Sequence, residues 1–283
     1  MSAIQPKSTL EELAAIFANS SLKFDLKPFG EGSRLISKYR KSMNELILSD
    51  PYSAYMGLGV LSAYENNYQL ASNYFESAQR LNPVIRSPKI NISTTALLNG
   101  DLDKCVNTVV EALRDSPDDT VVVSAALRIL SMFFYYDEIE SLKLKYSNST
   151  VFKEIENSEK NDDHDVKNFL ELKTIDLSVL RSMQLLANQE FFSIFSLNSS
   201  FLSNYNVDSF ETKFDEIIYI PKDLFGDSLI KADSIIYKMN ESLQEKFVDL
   251  FTHYNTQNDN HRLLESFRNI SIYFALDTRI KKS

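Results

Sequence analysis

From Asp118 to Ile220 the chain contains neither glycine nor proline. These are the residues that supply left-handed turns and break helices. Only six glycines occur in 283 residues (Gly30, Gly32, Gly57, Gly59, Gly100 and Gly226), where roughly 7% is usual. A phosphate-cradling loop needs several glycines for close backbone approach. Nucleotide-binding α/β folds are therefore disfavoured. So is a sandwich or barrel built on many tight turns. Helices with few connections remain.

Charge and cysteine narrow the function. The net charge is −9, and the longest basic run is Lys38-Tyr-Arg-Lys41. Nucleic-acid binding needs a basic face, so nucleic acid is not expected as the main partner. The single cysteine, Cys105, rules out an internal disulfide and suits a reducing, cytoplasmic setting. Met1 to Ser21 lacks a basic start followed by an apolar stretch, so no signal peptide is expected. No run approaches the ~20 apolar residues of a membrane span.

Three prolines, Pro51, Pro83 and Pro117, follow polar residues at spacings of 32 and 34. Between the first two, Tyr55, Leu58, Gly59, Tyr68, Ala71, Phe75, Ala78 and Pro83 set out a large/small pattern. Small residues at 59, 71 and 78 let two antiparallel helices approach closely, and the large ones fill the space between them. The pattern resembles the tetratricopeptide repeat. A second unit over 86–119 carries Ile92, Ser93, Ala96, Gly100, Leu102, Cys105, Val109, Ala112 and Pro117 in matching positions. It departs at Lys89, where a large apolar residue is usual, and Pro88 predicts a short or shifted first helix. A degenerate third unit spans 120–150, with a turn near Tyr135-Tyr136-Asp137. Upstream, Thr9 to Ala18 and Ser33 to Leu48 read as helices. Gly57 has no role that the sequence assigns.

The polar, acidic stretch 147–165 reads as a solvated connection or a ragged helix end and marks the expected division into an array, 1–150, and a second region, 151–283. Val166 to Phe195 reads as one or two helices, with Val166, Phe169, Leu170, Lys173, Leu177 and Leu180 on one face, continued by Leu185, Leu186 and Phe192. Phe210 to Ile220 and Asn269 to Leu276 alternate with period two, as strands do. Ser228 to Tyr254 between them reads as a helix. The expected class is mostly α: a tetratricopeptide-like α-α superhelix with a small C-terminal α+β cap.

No chemistry-bearing motif emerges. His164, His253 and His261 do not form a metal pattern, and one cysteine cannot build a thiolate zinc site. Asp162, Asp163 and Asp165 around His164 read as a solvated charge run. Cys105 occupies a position where the repeat wants a small buried residue. The expectation is a chain without cofactor or metal and without catalytic activity.

The resemblance implies a groove lined by the first helix of each pair, which in this family receives a peptide or another protein. By register the candidates are Met56, Val60 and Tyr64 in the first unit, Ile90, Leu97 and Leu98 in the second, and Arg128 and Met132 in the third. Met56 and Val60 stand where some relatives begin a Lys/Asn clamp on a peptide carboxylate, so that specificity is not expected. Two readings of the groove stand side by side: an open site for a protein or peptide segment, or core covered by the C-terminal region. The expected function is a non-enzymatic adaptor that binds a protein or peptide. The alternatives are a sensor of a small peptide or ligand, and an enzyme with a site between repeats and cap.

Overall fold

The computed structural model describes residues 11–13, 31–158, 164–172, 175–195, 199–208, 212–225, 229–257 and 261–278. The fold is mostly helical, with one small three-stranded sheet. Two compact units divide it: residues 1–116 with 192–199, and 117–191 with 200–283. Position 150, the expected division, opens a helix of the second unit.

In the first unit, α1 (Glu31–Leu46), α2 (Pro51–Tyr64), α3 (Tyr68–Leu81), α4 (Ser87–Leu98) and α5 (Leu102–Asp115) each pack on the next. Local chemistry fixes their ends. The Asp50 side chain accepts from Ser53 N at 3.1 Å, with Pro51 in the first turn where no N–H is required. Asn67 and Asp101 cap α3 and α5 by accepting from Leu70 N and Lys104 N. α3 stops at Leu81, ahead of Pro83. α4 takes Pro88 into its first turn and runs for 12 residues against 14 in α2.

Two apolar clusters stand out among the described residues of this unit. One gathers Leu13, Ile36, Tyr39, Met43, Leu58, Leu61 and Tyr64, and the other Met56, Ala63, Ala71, Phe75, Ala78 and Ile92. Glycine permits both. A Cβ on Gly59 would meet the Phe75 ring edge at 2.5 Å, and one on Gly57 would collide with the Met43 sulfur. Gly57, without a role in the sequence, is the slot that seats Met43. Of the expected helix over 9–18, residues 11–13 are described, and they are helical.

The second unit opens with α6 (Thr120–Met132), α7 (Tyr136–Lys145), α8 (Thr150–Ser158), α9 (His164–Glu171) and α10 (Leu177–Ile194). The expected connection at 147–165 contains α8. Phe152, 1% exposed, anchors that helix, and Ser149 Oγ accepts from Phe152 N at 3.2 Å. Val166–Phe195 forms two helices. Val166, Phe169 and Leu170 are buried as expected, but α10 buries Val179, Leu180, Met183, Ala187 and Phe191, while Leu185 and Leu186 are half-exposed. The apolar face therefore rotates away from the expected one.

The sheet runs β1 (Leu202–Asp208), β2 (Lys213–Pro221), β3 (Ile270–Asp277), in that spatial order. β1 and β2 are antiparallel, Leu202↔Tyr219 to Asp208↔Lys213. β2 and β3 are parallel, Phe214↔Ile270 to Pro221↔Asp277. A short 3-10 turn (Lys222–Phe225), then α11 (Leu229–Gln257) and α12 (His261–Asn269), make the crossover that parallel strands require. The two expected strands and the helix between them form, and β1 is an addition. Phe210 lies outside the described residues. Phe214, Glu216, Ile218 and Ile220 of β2 and Ile270, Ile272 and Phe274 of β3 are buried, so one face of the sheet is core.

Candidate functional site

The inter-helix turns carry a strict internal period. Asn66 (φ 60°), Gly100 (φ 88°) and Phe134 (φ 58°) adopt the left-handed conformation at intervals of 34 residues. Each sits in the same pair of backbone bonds. Asn66, Gly100 and Phe134 donate to the carbonyls of Ala63, Leu97 and Ser131, and Asn67, Asp101 and Tyr135 donate to those of Ser62, Ala96 and Leu130, at 2.8–3.1 Å. This is the Schellman helix ending, and here its last residue also opens the next helix. α2/α3, α4/α5 and α6/α7 are thus joined by the same kind of turn.

Within the first unit, polar contacts tie the pairs together. Lys89, whose side chain is 14% exposed, reaches Glu111 at 2.8 Å and Asp115 at 2.6 Å across the α4/α5 pair. Burial pulls the Lys89 ammonium pKa down, but the hydrogen bonds to Asp115 and Glu111 outweigh it, and the net shift is upward. This explains the departure from the repeat pattern at 89: the aliphatic stem fills the apolar position and the ammonium leaves it. Lys104 Nζ joins α5 to α3 through Glu76 at 2.9 Å and Ser72 at 3.3 Å. Arg40 pairs with Glu65 at the end of α2. Cys105 is buried, with Ser93 Oγ 3.3 Å from its sulfur, and burial pushes its thiol up to about 11. It is a packing residue, as the repeat register implied.

The candidate groove residues separate by exposure. Met56, Tyr64, Leu97 and Leu98 are buried, the first within the Phe75 cluster and the second within the Met43 cluster. Val60 and Ile90 are half-buried, as are Ser53 and Thr94 on the same helices. Arg128 is exposed and Met132 half-buried on α6, in the second unit. The accessible part of the expected lining on α2 and α4 is therefore Val60 and Ile90, both uncharged.

A buried polar cluster in the second unit has no counterpart in the sequence reading. Glu216, fully buried on β2, accepts from Ser203 Oγ of β1 at 2.6 Å and from Gln184 Nε2 of α10 at 3.2 Å. Burial raises its carboxyl pKa to about 7 against these two lowering hydrogen bonds. Its second oxygen, Gln184 Oε1 and Asn188 Oδ1 are buried without a hydrogen-bond partner. Nearby on α10, Glu190 pairs with Lys246 of α11 and accepts from Ser242 Oγ at 3.1 Å. The signal was present: Glu216 interrupts the apolar series Phe214, Ile218, Ile220, and a carboxylate at such a position must be neutralised or hydrogen-bonded.

Arg181 of α10 donates to the carbonyls of Phe133 (2.8 Å) and Phe134 (3.2 Å), with its guanidinium carbon 3.7 Å from the Tyr135 ring centre. It satisfies the carboxyl end of α6 and stacks on an aromatic face together. The Phe134 ring meets Tyr205 and Phe214 edge-on at 5.8 and 5.7 Å.

His253 and His261 are exposed, and His261 faces Glu265 at 3.5 Å. Among the described residues no three His, Cys, Asp or Glu side chains gather as a metal site, and no helix is long and apolar enough to cross a membrane. No protein-family model matches the chain, and no curated protein sequence matches it.

Proposed function

We propose that this chain is a non-enzymatic adaptor that holds a protein or peptide segment against the first helices of tetratricopeptide-like pairs. The observation that carries this reading is the 34-residue recurrence of left-handed turns at Asn66, Gly100 and Phe134. Repeats of one helical hairpin expose a row of equivalent helices, and such rows serve as extended binding surfaces. The partner is met by Val60 and Ile90, the half-buried members of the expected lining on α2 and α4. An uncharged row of this kind suits an apolar or amphipathic segment. Met56, Tyr64, Leu97 and Leu98 support the helices from beneath instead of touching the partner. Arg128, exposed on α6, is a separate contact of the third helix pair. The cytoplasm is the proposed setting, in keeping with a single buried thiol.

The test compares affinity capture by the full chain and by a Val60→Glu/Ile90→Glu double variant from the native cell, with mass spectrometry of the bound proteins. The expected result is a reproducible partner set lost in the variant while far-UV circular dichroism and melting temperature stay at the wild-type level. The same set captured by both proteins rejects this face as the binding surface.

A further inference from the structure

Where α10 packs behind β2, three side-chain oxygens are buried without a hydrogen-bond partner: Gln184 Oε1, Asn188 Oδ1 and Glu216 Oε2. All three residues are 0% exposed. A buried acceptor left unpaired is costly, and native structures hold few of them.

The bonds that these residues do make gather the oxygens in one place. Gln184 Nε2 donates to Glu216 Oε1 at 3.2 Å, so the remaining oxygen of each group branches from the same contact. Asn188 stands one helical turn beyond Gln184 on the same face of α10, and its Nδ2 donates to the Gln184 carbonyl at 2.9 Å. Ser203 Oγ donates to Glu216 Oε1 at 2.6 Å. Oε1 therefore receives two donors and Oε2 neither.

The same bonds fix which way the amides face. Turned over, the Asn188 amide would set its oxygen against the Gln184 carbonyl oxygen. The Gln184 amide, turned over, would set its oxygen against Glu216 Oε1. Both nitrogens face acceptors, which leaves both amide oxygens open.

Donor counting decides what fits among them. An anion or an apolar group satisfies none of the three. A hard metal ion takes six or more oxygens, and a divalent one would leave net charge beside a single buried carboxylate. A water molecule has two donors and two lone pairs. With the carboxyl proton on Oε2, water accepts from Glu216 and donates to both amides, and every oxygen has a partner. Burial of Glu216 favours that protonated form.

We propose that Gln184, Asn188 and Glu216 form a binding site for one internal water molecule, which donates to both amide oxygens and accepts from the protonated Oε2 of Glu216. The water is a second polar tie between α10 and β2, beside the Gln184–Glu216 bond. The site lies wholly in the second unit and stands or falls independently of the helix-pair face.

Two measurements on the full chain test it. A high-resolution crystal structure grown near pH 5 is expected to show one density peak about 2.7–3.2 Å from all three oxygens. Oxygen-17 relaxation dispersion of the solvent counts long-lived internal waters without interference from exchanging protons. At the same pH, Asn188→Leu is expected to hold one such water fewer than wild type. Gln184→Met replaces that variant if it melts early, with the same loss of one water expected. The crystal structure of wild type depends on neither variant. No peak, with the carboxyl and the amides bonded directly to one another, overturns the proposal. So does a peak at about 2.4 Å with further oxygens around it, which would be a cation. An unchanged water count in a folded variant overturns it as well.

Discussion

Asn66 and Gly100, 34 residues apart, hold the same left-handed backbone at the end of the first helix of successive pairs. Asparagine tolerates this conformation through its short polar side chain, and glycine has no Cβ to strain. The two positions should respond oppositely to substitution. Gly100→Ala is expected to lose about 1 kcal/mol, and Asn66→Gly to gain a few tenths, offset in part by unfolded-chain entropy. Urea denaturation of both variants checks this. Equal effects of the same sign would mean that the backbone at the two turns is not equivalent.

A different constraint acts at Gly59. A Cβ there would sit 2.5 Å from the ring of Phe75, which is 2% exposed. The ring is rigid and enclosed, so it cannot give way cheaply. Overpacking of this kind costs about 1–3 kcal/mol, partly offset by the better helix propensity of alanine. Gly59→Ala is expected to lower stability by about 1–2 kcal/mol. Adding Phe75→Leu should then cost less than Phe75→Leu costs alone. A double-mutant cycle by urea denaturation measures the coupling, and additive effects would remove this contact as the cause.

The repeat was legible because its turns and close contacts use residues with few substitutes: Gly59, Gly100, and prolines at the helix ends. Phe134 takes the same left-handed turn but carries no such mark, because its large ring is kept by Tyr205 and Phe214, contacts distant in sequence. β1 escaped notice for a related reason. Its sequence, LSNYNVD, sets Asn204, Asn206 and Asp208 at alternate positions of an edge strand, so it lacks a strong apolar alternation. α8 was hidden in a polar stretch because one buried residue, Phe152, anchors it. For the groove, register identifies which residues share a helix face. It does not say what covers that face, and Met56, Tyr64, Leu97 and Leu98 are covered. The Glu216 cluster needs three elements brought together by the fold, and period-two alternation alone supplies the face of one of them.

Lys89 links α4 to both carboxylates of α5, and its pKa stands above the usual 10.5. The pair therefore contributes stability that is fully present below pH 10.5 and lost as pH rises through the higher folded value. Glu111 and Asp115 are 61% and 55% exposed, so solvent screens the interaction and about 1 kcal/mol is expected. Lys89→Met keeps a stem of similar length and removes the charge. Wild type should melt above the variant at neutral pH, and the gap should close above pH 10.5. A gap that persists at high pH would assign the difference to packing.

Glu216 has a consequence of the same sign, nearer neutrality. Its carboxyl is raised from 4.5 to about 7 by burial. Below pH 4.5 it is protonated in both folded and unfolded chains, and its contribution is fully present. Between 4.5 and 7 the unfolded chain releases the proton while the folded one retains it, so folding loses ground as pH rises. Above 7 the loss is complete, on the order of 3 kcal/mol. Glu216→Gln cannot ionise, and its amide offers a donor to the unpartnered oxygens of Gln184 or Asn188. Relative to this variant, wild type should weaken steadily from pH 5 to pH 8 in urea denaturation. Ser203→Ala should sharpen the effect, since the hydroxyl bond at 2.6 Å favours the ionised form. A difference between wild type and Glu216→Gln that stays flat over this interval would show that the carboxyl is already ionised in the folded chain at pH 5.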